Sequence, residues 1–222
     1  MKRIFLPALV VLVANASARD FDFSKYSTKV RNFISDVAFE VEAGDREKYS
    51  KRLAPAIDLT VHGDVVQKTM VEAKIAPFLA ASGVTSNGPA PDGTRAKIDV
   101  YFGDSGTLTP VAAGISKDIS LDLGATYWTW WTDGRVINRA VIFICTDKIA
   151  ANRIEDKVVE KLLAVFGFPS TSRESDQSCL AASDPNFVTL QPLDVALIKF
   201  YYKEVPAGTK PSELDKIVRE KW

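Results

Sequence analysis

The stretch from Gly124 to Cys145, GATYWTWWTDGRVINRAVIFIC, holds three of the chain's four tryptophans and two β-rich runs separated by Asp133-Gly134. Aromatic and β-branched residues fill both runs, and Asp-Gly tolerates the positive φ angles of a type I′ turn, so the segment predicts a β-hairpin. A two-residue turn fixes the pairing, with Trp131 opposite Val136, Trp130 opposite Ile137 and Trp128 opposite Arg139. Trp128, Trp130, Ile137 and Arg139 then share one side of the sheet, where a cation–π contact between Trp128 and Arg139 is expected. Tyr127 and Trp131 fall on the other side.

C-terminal to the hairpin, NRIEDKVVEKLLAVF (152–166) places Ile154, Val158, Val159, Leu162, Val165 and Phe166 on one helical face. Gly167 suits the left-handed position that ends a helix, and Pro169 prevents continuation. Two further helices are predicted, one opening near Thr189 and Pro192 with Val195, Leu197, Ile198 and Tyr201, the other at Pro211 with Leu214, Ile217 and Val218. N-terminal to the hairpin, AIDLTVHG (56–63) alternates as a strand does, Gly63-Asp64 punctuates it, and a helix follows with Val71, Ile75, Phe78 and Leu79 on one face. Pro77 is expected to kink that helix and Gly83 to stop it. Ser82 to Thr94 has the composition of a surface loop, AKIDVYFG (96–103) is a second strand, and a third strand is expected within 103–123. Val30, Phe33, Ile34 and Val37 mark an earlier docked helix.

The N-terminus stands apart from this pattern. Lys2 and Arg3, the apolar run Ile4 to Val13 and the small residues Ala16-Ser17-Ala18 form a secretory signal-peptide pattern, so the chain is expected to be periplasmic or secreted. That run is too short to span a bilayer, and no transmembrane helix is expected elsewhere. The organisation that follows is a signal peptide over 1–18, a helical extension over 19–54 and an α+β domain over 55–222. Lys+Arg and Asp+Glu both number 28, so the long-range field that draws proteins to nucleic acid is missing. In an exported chain the two cysteines, Cys145 and Cys179, are expected to form a disulfide.

Familiar catalytic motifs are weak or missing. Gly103-Asp104-Ser105-Gly106 matches the "GDSG" around the nucleophile of trypsin-like proteases, and His62 and Asp99 precede it in the right order. Thr107 follows where Gly-Pro is expected, however, and His62 lies only 43 positions before Ser105, so a polar turn accounts for the residues. A His-Glu-x-x-His zinc site needs two histidines one helical turn apart, and the chain has one histidine in all. No glycine-rich loop follows a strand to cradle phosphate, and no cofactor is expected.

Strand, helix, strand, the third strand expected within 103–123, hairpin, then a helix ended by glycine is an order that resembles the catalytic half of the zincin metallopeptidases. In that family the first hairpin arm is an antiparallel edge strand bordering the substrate cleft, and the next helix carries the metal ligands. The residues from about 55 to 222 also resemble a narrower group of exported bacterial proteins, the domain of unknown function 2927. Its helix commonly reads EELTQALGL, here Glu160 to Phe168, EKLLAVFGF. Its tail reads LTxLDxxLLRxLYDPRL, matched by Leu190, Leu193-Asp194, Leu197-Ile198-Lys199 and Tyr202, with Pro206-Ala207-Gly208 beyond. Laid on the zincin pattern, Glu160 and Ala164 occupy the two metal-histidine positions and Lys161 that of the general-base glutamate. Alanine cannot ligate a metal and an ammonium cannot replace the carboxylate, so zinc-dependent peptide hydrolysis is not expected.

The sequence therefore predicts an α+β domain with a zincin-like mixed sheet. Its expected role is that of a non-catalytic binding or envelope-associated protein, whose partner is an extended peptide, a cell-wall glycan or an envelope protein. The expected ligand-binding residues are Trp128, Trp130, Arg139, Glu160 and Lys161, lining one cleft between the hairpin's edge strand and the 152–166 helix. The alternative is a metal-independent hydrolase using Glu160.

Overall fold

The computed structural model describes residues 25–39, 48–86 and 95–222, so the expected signal peptide and residues 87–94 of the expected 82–94 loop lie outside the described residues. In chain order the elements are α1 (Thr28–Ala38), β1 (Arg52–Leu53), β2 (Ala56–His62), α2 (Val65–Ser82), β3 (Thr85–Ser86) and β4 (Arg95–Gly103), followed by α3 (Ser105–Ile115), β5 (Ala125–Trp131), β6 (Val136–Cys145), α4 (Ile154–Val165), α5 (Pro192–Glu204) and α6 (Pro211–Lys221). No helix among the described residues is long and apolar enough to cross a membrane.

The sheet is mixed. β2, β4 and β6 run parallel, each joined to the next through a connection that contains a helix, while the hairpin brings β5 back antiparallel to β6. Val141 pairs with Asp99 of β4 on one side and Trp128 of β5 on the other, so the order across the sheet is β3–β2–β4–β6–β5. β1 pairs the first two residues of β6, on the β4 side. β5 is thus an antiparallel edge strand followed by β6 and an amphipathic helix, the arrangement expected from sequence.

The larger core lies on one face of the sheet, where Ile98, Val100, Ile142 and Ile144 meet α2, α4 and α5. α4 forms because Val158, Val159, Leu162 and Leu163 recur at helical spacing and are buried there, each side chain contributing roughly 1.5–3 kcal/mol of gross burial. It ends at Gly167, with φ +102°, where an added Cβ would sit 2.3 Å from the Lys51 carbonyl oxygen. Val30, Phe33, Ile34 and Val37 of α1 are fully buried in the same core. A smaller cluster occupies the opposite face, where Leu108 and Ala112 of α3 cover Val141, Phe143 and Cys145.

Three expectations are corrected. The third strand within 103–123 is instead α3, because Asp104 accepts a hydrogen bond from the Thr107 N–H at 2.8 Å and caps a helix there. The expected disulfide is absent: Cys145 is buried with the α3 cluster and Cys179 in the larger core, so the sheet separates two free thiols. The hairpin turn is not type I′. The Arg135 N–H donates to the Thr132 carbonyl at 2.8 Å and Arg135 itself takes φ +60°, giving a three-residue loop whose left-handed position falls on Arg135. A bulge then leaves Asn138 without an opposite residue, so Trp131 pairs Ile137, Trp130 pairs Arg139 and Trp128 pairs Val141. Ile137 consequently turns into the larger core, away from Trp128 and Trp130.

Candidate functional site

Along the sheet, alternation sends every second side chain to the face that α3 only partly covers. Register aligns these side chains in cross-strand rows: Asp58, Lys97, Arg139 and Trp130 in one, Thr60, Asp99, Val141 and Trp128 in the next, then His62, Tyr101, Phe143 and Thr126. The last row lies nearest α3, and the first is the most solvated, with Asp58, Lys97 and Arg139 all exposed.

Asp99 is the buried polar centre of this face, 2 % exposed. Its carboxylate faces His62 Nε2 at 3.0 Å and Lys97 Nζ at 3.4 Å, partners that a charge so withdrawn from water requires. The His62 ring lies flat against Tyr101, with centroids 4.1 Å apart and planes 4° apart, and Tyr101 stacks in turn on Phe143. Burial first and the Asp99 charge second push the Tyr101 phenol up, with Arg139 opposing, so this hydroxyl stays protonated. Arg139 lies over Trp130, 4.5 Å from the ring centroid. The cation–π partner is therefore Trp130 rather than Trp128, a consequence of the bulge.

Of the expected ligand-binding residues, Trp128, Trp130 and Arg139 come together here. Glu160 and Lys161 do not join them. They lie on α4, on the opposite side of the sheet, where the hairpin aromatics are Tyr127 and Trp131. The single cleft expected from sequence is thus divided in two by the sheet.

Glu160 borders a cavity of about 240 Å³ between α4 and the segment 171–187. Its carboxylate pairs with Lys157 at 2.8 Å and Lys161 at 2.5 Å, and Lys157 also reaches Asp184 at 2.8 Å. Burial pushes the Glu160 carboxyl up, but the two ammonium groups outweigh it and hold the acid below its ordinary range. Arg153 adds a second tie, bridging Asp156 and Asp184. Asp194, fully buried, anchors the same segment from the other end by accepting hydrogen bonds from the Ser178 hydroxyl and the N–H groups of Cys179 and Gln191. Glu160, held below its ordinary range by its two lysines, is poorly suited to proton transfer, which favours an acid or base poised near the working pH.

The GDSG segment starts α3. Ser105 donates its hydroxyl to Asp147 at 2.6 Å, not to His62, so the protease-like order of His62, Asp99 and Ser105 yields only its first two members as neighbours. Sequence reasoning passed over Asp99, Lys97 and Tyr101 as site residues. The available signal was a run of polar residues at every second position of two strands, Asp58-Thr60-His62 and Lys97-Asp99-Tyr101, marking a sheet face that is not ordinary core. Among the described residues no group of three or more histidine, cysteine, aspartate and glutamate side chains is arranged to hold a metal. No protein-family model, no curated protein and no solved structure matches the chain.

Proposed function

We propose that the chain is an exported, non-catalytic binding protein on a zincin-like scaffold, related to the domain of unknown function 2927, and that its ligand is a cell-wall glycan. The observation that carries this reading is the pairing of Trp128 and Trp130 on one face of the outermost strand. Two residues apart on a strand, they are separated by about 7 Å, and both are half-buried, so each is held by packing yet accessible. Aromatic rings fixed in this way present apolar surface to sugar rings at little conformational cost. Lys97 and Tyr101 on β4 and His62 on β2 carry hydrogen-bonding groups on the same face of the sheet. Export is supported by the leader pattern, and kinship by the strand order and the few matched helix and tail residues. The clamped state of Glu160 speaks against the hydrolase alternative.

A second reading has its own observation. Among the described residues β5 pairs only with β6, so its outer backbone edge is available to an extended peptide. Titration of tryptophan fluorescence separates the two. Peptide-free peptidoglycan fragments are expected to shift the emission of the parent and not of a Trp128→Ala/Trp130→Ala variant. Binding of extended peptides with unchanged affinity in that variant, and no glycan response in the parent, would favour the edge-strand reading instead.

A further inference from the structure

We infer that this face selects a glycan that carries carboxylates on its sugar rings, with Arg139 as the residue that receives the acid group; this rests on the glycan reading above. Arg139 is exposed, and among the described residues it makes no salt bridge. The acids of the face are already engaged, Asp58 by Arg95 at 2.8 Å and Asp99 by His62 and Lys97. Among the described residues, counting Arg95, Lys97 and Arg139 against Asp58 and Asp99 leaves one positive charge over. It falls on Arg139.

The register sharpens the point. Lys97 and Arg139 are paired residues of neighbouring strands, and like charges placed opposite each other destabilise a sheet. Asp99 relieves Lys97, whereas among the described residues Arg139 is relieved only by the ring of Trp130. The guanidinium carbon sits 4.5 Å from the ring centroid, a contact that engages the π face and not the N–H donors, and a guanidinium fork receives a carboxylate through two parallel hydrogen bonds. A sugar in contact with Trp130 is a neighbour of that fork, so an acidic substituent on the ring has a partner and a neutral one leaves the charge unpaired. The site therefore reads two features of one ligand: a ring against the tryptophans and an acid beside them.

The test compares two tetrasaccharides binding to the full chain by calorimetry at low salt. One is the peptide-free peptidoglycan tetrasaccharide, whose muramic lactyl groups end in carboxylates. The other is its carboxyl-reduced form, in which each acid is an alcohol. The acidic form is expected to bind about ten-fold tighter, with an advantage that shrinks as salt is added. In Arg139→Gln the advantage is expected to fall below about two-fold, and Arg139→Lys to restore part of it. Equal affinity for the two sugars in the parent overturns this inference and leaves the glycan reading standing. An undiminished preference in Arg139→Gln overturns the assignment to Arg139. Binding of neither sugar overturns both.

Discussion

Arg139 and Trp130 face each other across the β5–β6 pair, and the guanidinium lies 4.5 Å from the centroid of the indole. The contact depends on the bulge at Asn138, which brings Trp130 opposite Arg139. Exposed cation–π pairs contribute about 0.5–1 kcal/mol, so a double-mutant cycle of Arg139→Ala and Trp130→Ala in urea unfolding is expected to give a coupling of about that size. Strictly additive losses would mean that the two side chains do not hold one another.

The clamp on α4 makes the chain sensitive to acid. Glu160 titrates lower folded than unfolded, so its stabilising contribution is complete above the ordinary glutamate value, about 4.3, and is lost as pH falls through its lower folded value. Asp184, lowered first by its hydrogen bond to Lys157, acts in the same direction. Melting temperature is expected to drop between about pH 5 and pH 3, and Glu160→Gln to flatten part of that slope while lowering stability near neutrality. An unchanged slope in the variant would show that Glu160 is not held by its lysines in solution.

Gly167→Ala tests the packing of the end of α4 against Lys51, the residue that leads into β1. The left-handed φ and the 2.3 Å approach to the Lys51 carbonyl leave no room for a methyl group. A loss of about 2 kcal/mol or more is expected from denaturant midpoints. A variant as stable as the parent would contradict this close approach.

Two free thiols are expected for the purified chain in denaturant without reductant, and slow reaction of both in the native state, since burial is the first cause that pushes each thiol up. Thiol titration that finds none until reductant is added would restore the disulfide.

The helices were legible because their apolar periodicity and stop signals are local: Gly83 and Gly167 end α2 and α4 with positive φ, as their positions in the sequence predict. The hairpin was legible in outline only. Its register turned on Arg135 taking the left-handed angle and on Asn138 standing out of the pairing, and neither residue advertises that role. α3 was missed because Ser105 to Ile115, rich in small residues and threonine and carrying Pro110, lacks a strong apolar stripe. The site was the least legible part. His62 and Asp99 lie 37 residues apart and meet only because β2 and β4 pair in a particular register, while Glu160 was separated from the tryptophans by a sheet whose two faces the sequence does not label.

The location of the binding face is tested most directly by a heteronuclear NMR titration with the peptide-free peptidoglycan tetrasaccharide. The expected result is perturbation of the Trp128 and Trp130 indole N–H signals and of the amides of Lys97, Asp99 and Arg139, with Lys157 to Lys161 unmoved. Perturbations gathered on Lys157 to Lys161 and the 171–187 segment, or none at all, would contradict it.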